Sequence, residues 1–216
     1  QQQTQKNSHD QQQTTLNNMS SSNQDFDDEN DANYKPPPKE SLNQILNKEE
    51  EDESLRKYKE QLLGAAAKGV PKTDDPRLVV IQSFGVKFPN NEHGDIIREL
   101  DTQQKVDDMK KTPITIKEGT DYQFFVTFKI QHDIVSALRF QNAISKAGIT
   151  VEKQNHMMGS YAPRAEVYSY KSPVFTAPSG LLARGSYKAR TKFVDDDKQT
   201  HLDLEYSLSI KKTFEG

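Results

Sequence analysis

Few residues of this chain have types and spacings that could do chemistry, and those that do favour binding over catalysis. Asp195-Asp196-Asp197-Lys198 is the densest acidic run in the C-terminal half. It lacks the spaced oxygen ligands of a calcium loop. Two readings stay open for it: a solvated hairpin tip, or a carboxylate cluster at the mouth of a pocket that would attract a basic peptide. The five histidines (His9, His93, His132, His156, His201) are scattered and form no metal-ligand spacing. No glycine-rich phosphate loop is present. Gly159-Ser160-Tyr161 and Gly185-Ser186-Tyr187 resemble each other but lack the flanks of a nucleophile elbow, and read as turn or strand-bend residues. A hydrolase would have to pair Ser160 or Ser186 with His156 or His201. The chain has no cysteine, which removes thiol catalysis, disulfides and Cys-containing zinc sites. No catalytic residue, metal or cofactor is therefore expected, and the protein is not expected to be an enzyme.

The other informative stretch is Asp52 to Gly64. Leu55, Tyr58 and Leu62 share one face at i, i+3 and i+7, acids precede the run, and Gly64 offers a left-handed stop. This is a short amphipathic helix with no core of its own, so it needs a partner to cover its apolar face. Ser41-Leu42-Asn43-Gln44-Ile45-Leu46 predicts a second short helix just before it, with Ser41 and Gln44 at capping-box positions. Isolated helices of this length are marginal in water, so partial order is expected in the free protein.

The elements around these motifs divide the 216 residues into four parts. Residues 1–33 are low in complexity, rich in Gln, Asn, Ser and Thr, and predicted to be a disordered leader. Residues 34–64 form the arm, opened by the stiff Tyr34-Lys35-Pro36-Pro37-Pro38 segment. Residues 65–76 read as a linker. Residues 77–216 read as a folded domain large enough to bury a core. Hydrophobic residues make up only 32% of the chain, and the deficit sits in the first third. The net charge of −3 hides a split, because residues 25–60 hold twelve acids and six bases while residues 77–216 are slightly basic. No dense Lys/Arg stripe appears, which argues against nucleic acid. No run approaches the roughly 20 apolar residues of a membrane span, and no charged-then-apolar signal opens the chain. Together with the missing cysteines, this favours the cytosol.

From residue 77 the period changes to two. Tyr122, Phe124, Val126, Phe128 and Ile130 alternate with more polar neighbours, and so do Leu202, Leu204, Tyr206, Leu208 and Ile210. Weaker strands are expected near 78–88, 95–101, 112–117, 134–144, 148–154, 165–170 and 185–194. Many short strands at hairpin spacing predict an all-β, immunoglobulin-like antiparallel β-sandwich, here without the cysteine–tryptophan pin of antibody domains.

Seven motifs, in order from about residue 33 to the C-terminus, resemble the Rho GDP-dissociation inhibitor family. They are Asn33-Tyr34-Lys35-Pro36-Pro37, the Asp52–Gly64 helix, Ile134-Val135-Ser136, Met158-Gly159-Ser160-Tyr161 with Pro163-Arg164-Ala165-Glu166, Leu182-Ala183-Arg184-Gly185-Ser186-Tyr187, Asp195-Asp196-Asp197-Lys198, and Ile210-Lys211-Lys212. The resemblance implies an inhibitor that binds prenylated Rho/Rac-type small GTPases, preferring the GDP state. The arm would lie on the switch regions and slow nucleotide release. The sandwich would shelter the geranylgeranyl group and so draw the GTPase off membranes. Asp52 and Ser54 match the arm positions that hydrogen-bond the switch, and Leu55 and Tyr58 belong to the same binding face. Phe84, Val86, Ile114, Ile134, Ala189 and Tyr206 match pocket-lining positions. Asp195, Asp196 and Asp197 would meet the client's basic tail. The implied protein is a cytosolic monomer that forms a heterodimer with its GTPase and touches membranes only transiently. The alternative is a general prenyl- or acyl-lipid carrier of the same sandwich class without switch inhibition. The family commonly has tryptophans where Leu204 and Tyr206 stand, so pocket shape is expected to differ.

Overall fold

The computed structural model describes residues 73–90 and 93–214. The leader, both arm helices with Asp52, Ser54, Leu55 and Tyr58, and most of the linker lie outside these residues. The described part is built from ten strands and one short helix. In chain order they are β1 (Val79–Lys87), β2 (Ile96–Glu99), α1 (Gln103–Asp108), β3 (Ile114–Lys117), β4 (Asp121–Ile130), β5 (Val135–Lys146), β6 (Ile149–Tyr161), β7 (Tyr168–Lys171), β8 (Phe175–Thr176), β9 (Gly185–Val194) and β10 (Thr200–Lys211).

Two five-stranded sheets face each other. The first runs β2-β1-β4-β7, with β8 also pairing β4, and the second runs β3-β10-β9-β5-β6. The alternation read from the sequence sets their inner faces. Tyr122, Phe124, Val126, Phe128 and Ile130 all turn into the core, as do Leu204, Tyr206, Leu208 and Ile210. Cross-strand register continues each row across the second sheet: Leu204 pairs Thr191, which pairs Asn142, which pairs Gln154. The fold is thus an immunoglobulin-like β-sandwich.

Three features depart from the sequence expectation. β3 runs parallel to β10, pairing Leu208 with Ile114, so the sheet is not antiparallel throughout. The helix α1 was not expected. It is six residues long and mostly polar, so it lacks a hydrophobic period, and Thr102 caps it by accepting from Lys105 N–H. β6 runs through Gly159-Ser160-Tyr161 instead of stopping before it. Gly159 takes φ 132° inside that strand, beside the register shift of β5 between Val135 and Leu138. It is a bend within a strand and not a loop. Gly85 has a separate role. A Cβ there would overlap the carbonyl oxygen of Ile96, so β1 and β2 approach at a distance only glycine allows.

Candidate functional site

The interior between the sheets is aromatic. Phe84 of β1 stands at its centre, with ring centroids 5.9 Å from Phe124, 6.3 Å from Phe140, 6.4 Å from Phe193 and 5.3 Å from Tyr206. Three of those four partners come from the opposite sheet, so this one side chain ties the layers together. Val86, Ile114, Ala189 and Tyr206 belong to the same buried cluster. Five of the six positions expected to line a pocket are therefore part of the buried core. Ile134 is only half-buried and precedes β5 at the edge of the sandwich.

One row of this interior is polar. Thr191 Oγ donates to Asn142 Oδ1 at 2.8 Å, and Tyr206 Oη donates to the same oxygen at 3.2 Å. All three residues are buried. Burial pushes the Tyr206 hydroxyl far above the ordinary phenol range, so it stays a neutral donor. Beside this trio, Gln154 Nε2 donates to Glu152 Oε1 at 2.6 Å. Asn142 Nδ2, Gln154 Oε1 and His156 Nε2 are closed off from solvent without a hydrogen-bond partner. Sequence reasoning missed this row. Its signal was present: Asn142 and Thr191 fall on the apolar phase of their strands, between Phe140 and Ile144 and between Ala189 and Phe193.

The acidic hairpin is not a uniform cluster. Asp195 is buried and committed to its own turn, where it accepts from Gln199 N–H at 2.9 Å and holds His201 Nε2 at 2.9 Å. The side chains of both partners are 2% exposed. Asp196 fastens the tip to the neighbouring loop through its N–H to the Ser136 carbonyl at 3.1 Å. Of the three acids expected to act together, Asp195 is thus turned inward, Asp196 is half-buried and Asp197 is exposed. His201 is a buried strand residue. Ser160 spends its Oγ on Ala137 N–H at 3.0 Å. Neither residue is arranged as part of a nucleophile–base pair. Among the described residues, no group of three His, Cys, Asp or Glu could hold a metal ion, and no helix is long and apolar enough to cross a membrane.

A second clasp lies at the opposite end of β9. Arg184 grips Glu118 with both arms, Nε to Oε2 at 2.8 Å and Nη2 to Oε1 at 2.6 Å, while Gly180 N–H donates to Oε2 at 2.9 Å. This holds the Glu118 carboxyl at a pKa of about 2. It pins a loop that carries Leu181 and Leu182, both exposed. A surface cavity of about 440 Å³ opens on the second sheet among Ser145, Lys188, Arg190, Glu205 and Ser207, and its lining includes Ala189 and Tyr206. Its lining mixes polar side chains with these two members of the buried cluster.

Comparison with known proteins bears on what this architecture serves. The family described as RHO protein GDP dissociation inhibitor matches residues 18–213. A Dictyostelium discoideum protein carrying the rho GDP-dissociation inhibitor 1 name is 42% identical over 179 residues, covering 82% of this chain and 89% of that protein. The human Rho GDP-dissociation inhibitor 1 is 38% identical over 173 residues, with coverage of 80% and 82%. The Schizosaccharomyces pombe Rho GDP-dissociation inhibitor is 35% identical over 176 residues, with coverage of 82% and 84%. Among solved structures, a Niemann-Pick type C2 protein from Japanese carpenter ant is similar at a TM-score of 0.40 and 8% identity, covering 65% of this chain and 98% of that one, a likeness too slight to bear on function.

Proposed function

The chain belongs to the Rho GDP-dissociation inhibitor family, and from that premise we propose how its two halves divide the work. It is a regulatory inhibitor whose partners are Rho-family GTPases. The general lipid-carrier alternative loses its ground, because the family match covers the arm as well as the sandwich.

The sandwich shelters the prenyl group of the client between its sheets. A twenty-carbon geranylgeranyl chain gains about 0.8 kcal/mol per buried CH₂ in a bilayer, so its carrier must offer comparable burial. The observation that carries this reading is that Phe84, Val86, Ile114, Ala189 and Tyr206 all belong to the apolar core between the sheets. The lipid enters by displacing ring contacts, since a packed interior holds no vacant channel of that length.

The arm grips the protein part of the client. Asp52 and Ser54 accept hydrogen bonds from the switch region, and Leu55 and Tyr58 lay their apolar face against it. Holding that loop in one conformation slows nucleotide release and gives preference to the GDP state. Asp196 and Asp197 attract the basic residues that precede the client's lipid. The complex is one inhibitor with one GTPase in the cytosol, with membrane contact limited to the act of extraction.

Liposomes carrying prenylated, GDP-loaded Rho/Rac-type GTPase test the reading. The protein in excess is expected to move the GTPase into the supernatant and to slow GDP release. A GTPase that stays on the liposomes would sink it.

A further inference from the structure

Among the described residues, the most exposed large apolar side chains stand at one end of the second sheet. Leu182 is 91% exposed, Leu181 81% and Ile149 71%. The strand register puts them at the same end. β10 reaches its last pairs where Ile210 meets Gly185, the first residue of β9, and where Lys211 meets Lys117, the last residue of β3. β5 ends at Lys146, opposite Ile149, and its neighbour Ser145 pairs Lys188. The loop that carries Leu181 and Leu182 leads into β9 at Gly185.

That loop is fastened along its length. Arg184 and Gly180 N–H both hold Glu118, and the N–H groups of Ala183 and Arg184 return to the Gly180 carbonyl at 3.0 and 3.2 Å. Lys146 Nζ donates to the carbonyls of Leu182 and Arg184, and Tyr187 Oη donates to that of Ala183. The backbone is held on every side while two adjacent leucine side chains are left in water. A slack loop could fold them back, but this one keeps them outward. Contiguous exposed apolar surface of this kind marks a contact site. Its surround is cationic. Lys117, Lys188 and Lys212 are exposed, and Lys211 is half-buried. Of the carboxylates at this end, Glu118 is held by Arg184 and Glu152 accepts from Gln154.

We propose that this end of the sandwich docks on an anionic lipid bilayer, with Leu181 and Leu182 sunk among the head groups and Lys117, Lys188 and Lys212 facing the lipid phosphates and carboxylates. Leucines this exposed project and form no groove. A rigid protein partner would need a cleft to receive them, whereas the interface of a bilayer yields to them. Lysines around an apolar tip are drawn to the negative surface of such a membrane. Two leucines bury too little to anchor a protein for long, so the contact is shallow and reversible. It requires neither a GTPase nor a lipid between the sheets, and it gives the carrier one orientation at the surface from which it takes its client.

The chain has no tryptophan, so Leu182→Trp places a single fluorescent reporter at the tip. The full chain with this substitution, free of GTPase, is mixed with vesicles of phosphatidylcholine alone or with about one-third phosphatidylserine. With the anionic vesicles the indole emission should shift to the blue and be quenched by brominated acyl chains, and raised salt should reverse both effects. In vesicle sedimentation, Leu181→Ser combined with Leu182→Ser should lower the bound fraction about fivefold, and Lys117→Gln combined with Lys212→Gln about threefold. Melting should be unchanged in both, because all four side chains are exposed. Emission that neither shifts nor is quenched would overturn the docking end, as would vesicle binding that survives both double substitutions. A shift produced by soluble, unprenylated GTPase and not by vesicles would make the leucines a protein contact and overturn it equally. Extraction of prenylated GTPase is a separate readout, taken from the GTPase-bearing liposomes, and stands or falls independently of these outcomes.

Discussion

At the scale of single residues, the interior owes its character to a few side chains that break its apolar pattern. Tyr206 presents its ring to Phe84 and its hydroxyl to Asn142, so it serves packing and polarity at once. Tyr206→Phe keeps the ring and removes one donor. It should lower stability by about 0.5–1.5 kcal/mol, measured by urea denaturation, because Asn142 Oδ1 still accepts from Thr191. Phe84→Ala should cost about 3–5 kcal/mol, since it empties the point where both sheets meet. A loss for Phe84→Ala no larger than that for Tyr206→Phe would show that the layers are held elsewhere. Asp195 is the residue whose role sequence alone misjudged. Three consecutive acids read as one cluster, but the first folds inward to meet His201 and Gln199 N–H. Asp195→Ala removes the acceptor of Gln199 N–H and the partner of the buried His201 side chain and should cost about 1–3 kcal/mol in the same assay, whereas Asp197→Ala, on an exposed position, should cost less.

At the scale of elements, strands with a clean period of two were legible and those governed by tertiary contact were not. β4 and β10 appear where alternation marks them, because a half-buried strand must send every second side chain inward. The parallel pairing of β3 with β10 left no local trace, since a four-residue strand reads the same in either direction. The Asn142–Gln154–His156 row was missed because polar residues on an inner face were averaged into an apolar pattern. The Glu118–Arg184 clasp joins residues 66 positions apart, a distance that no local pattern spans. That clasp makes a pH prediction. Arg184 lowers the Glu118 pKa from 4.5 to about 2, so the clasp stabilises the fold fully above pH 4.5 and its contribution is lost as pH falls toward about 2. Glu118→Gln should therefore melt below the parent at neutral pH, and the gap should close across that acid window. A gap that stayed constant with pH would assign the effect to packing. Gly85→Ala should disturb the β1–β2 edge by about 1–3 kcal/mol, because the added methyl meets backbone and not a movable side chain.

At the scale of the whole molecule, the proposed function gives the fold to the sandwich and the grip on the client's switch region to the arm. Among the described residues, the buried cluster runs from Val79 to Ile210. On the proposed division of work, substitutions in the arm should act on the GTPase and leave the sandwich alone. Asp52→Ala and Ser54→Ala should each weaken binding of GDP-loaded, prenylated GTPase by about 1–2 kcal/mol, the worth of a lost charge-assisted or neutral hydrogen bond at an interface. Melting of the free protein should be unchanged. The same variants should still take up N-acetyl-S-farnesylcysteine methyl ester with the parent's affinity, because that ligand meets only the sandwich. A chain lacking residues 1–64 should go further, keeping the lipid while losing its effect on GDP release. A fall in melting temperature on arm substitution would show instead that the arm packs on the sandwich, and loss of lipid binding with it would show that the two halves form one site.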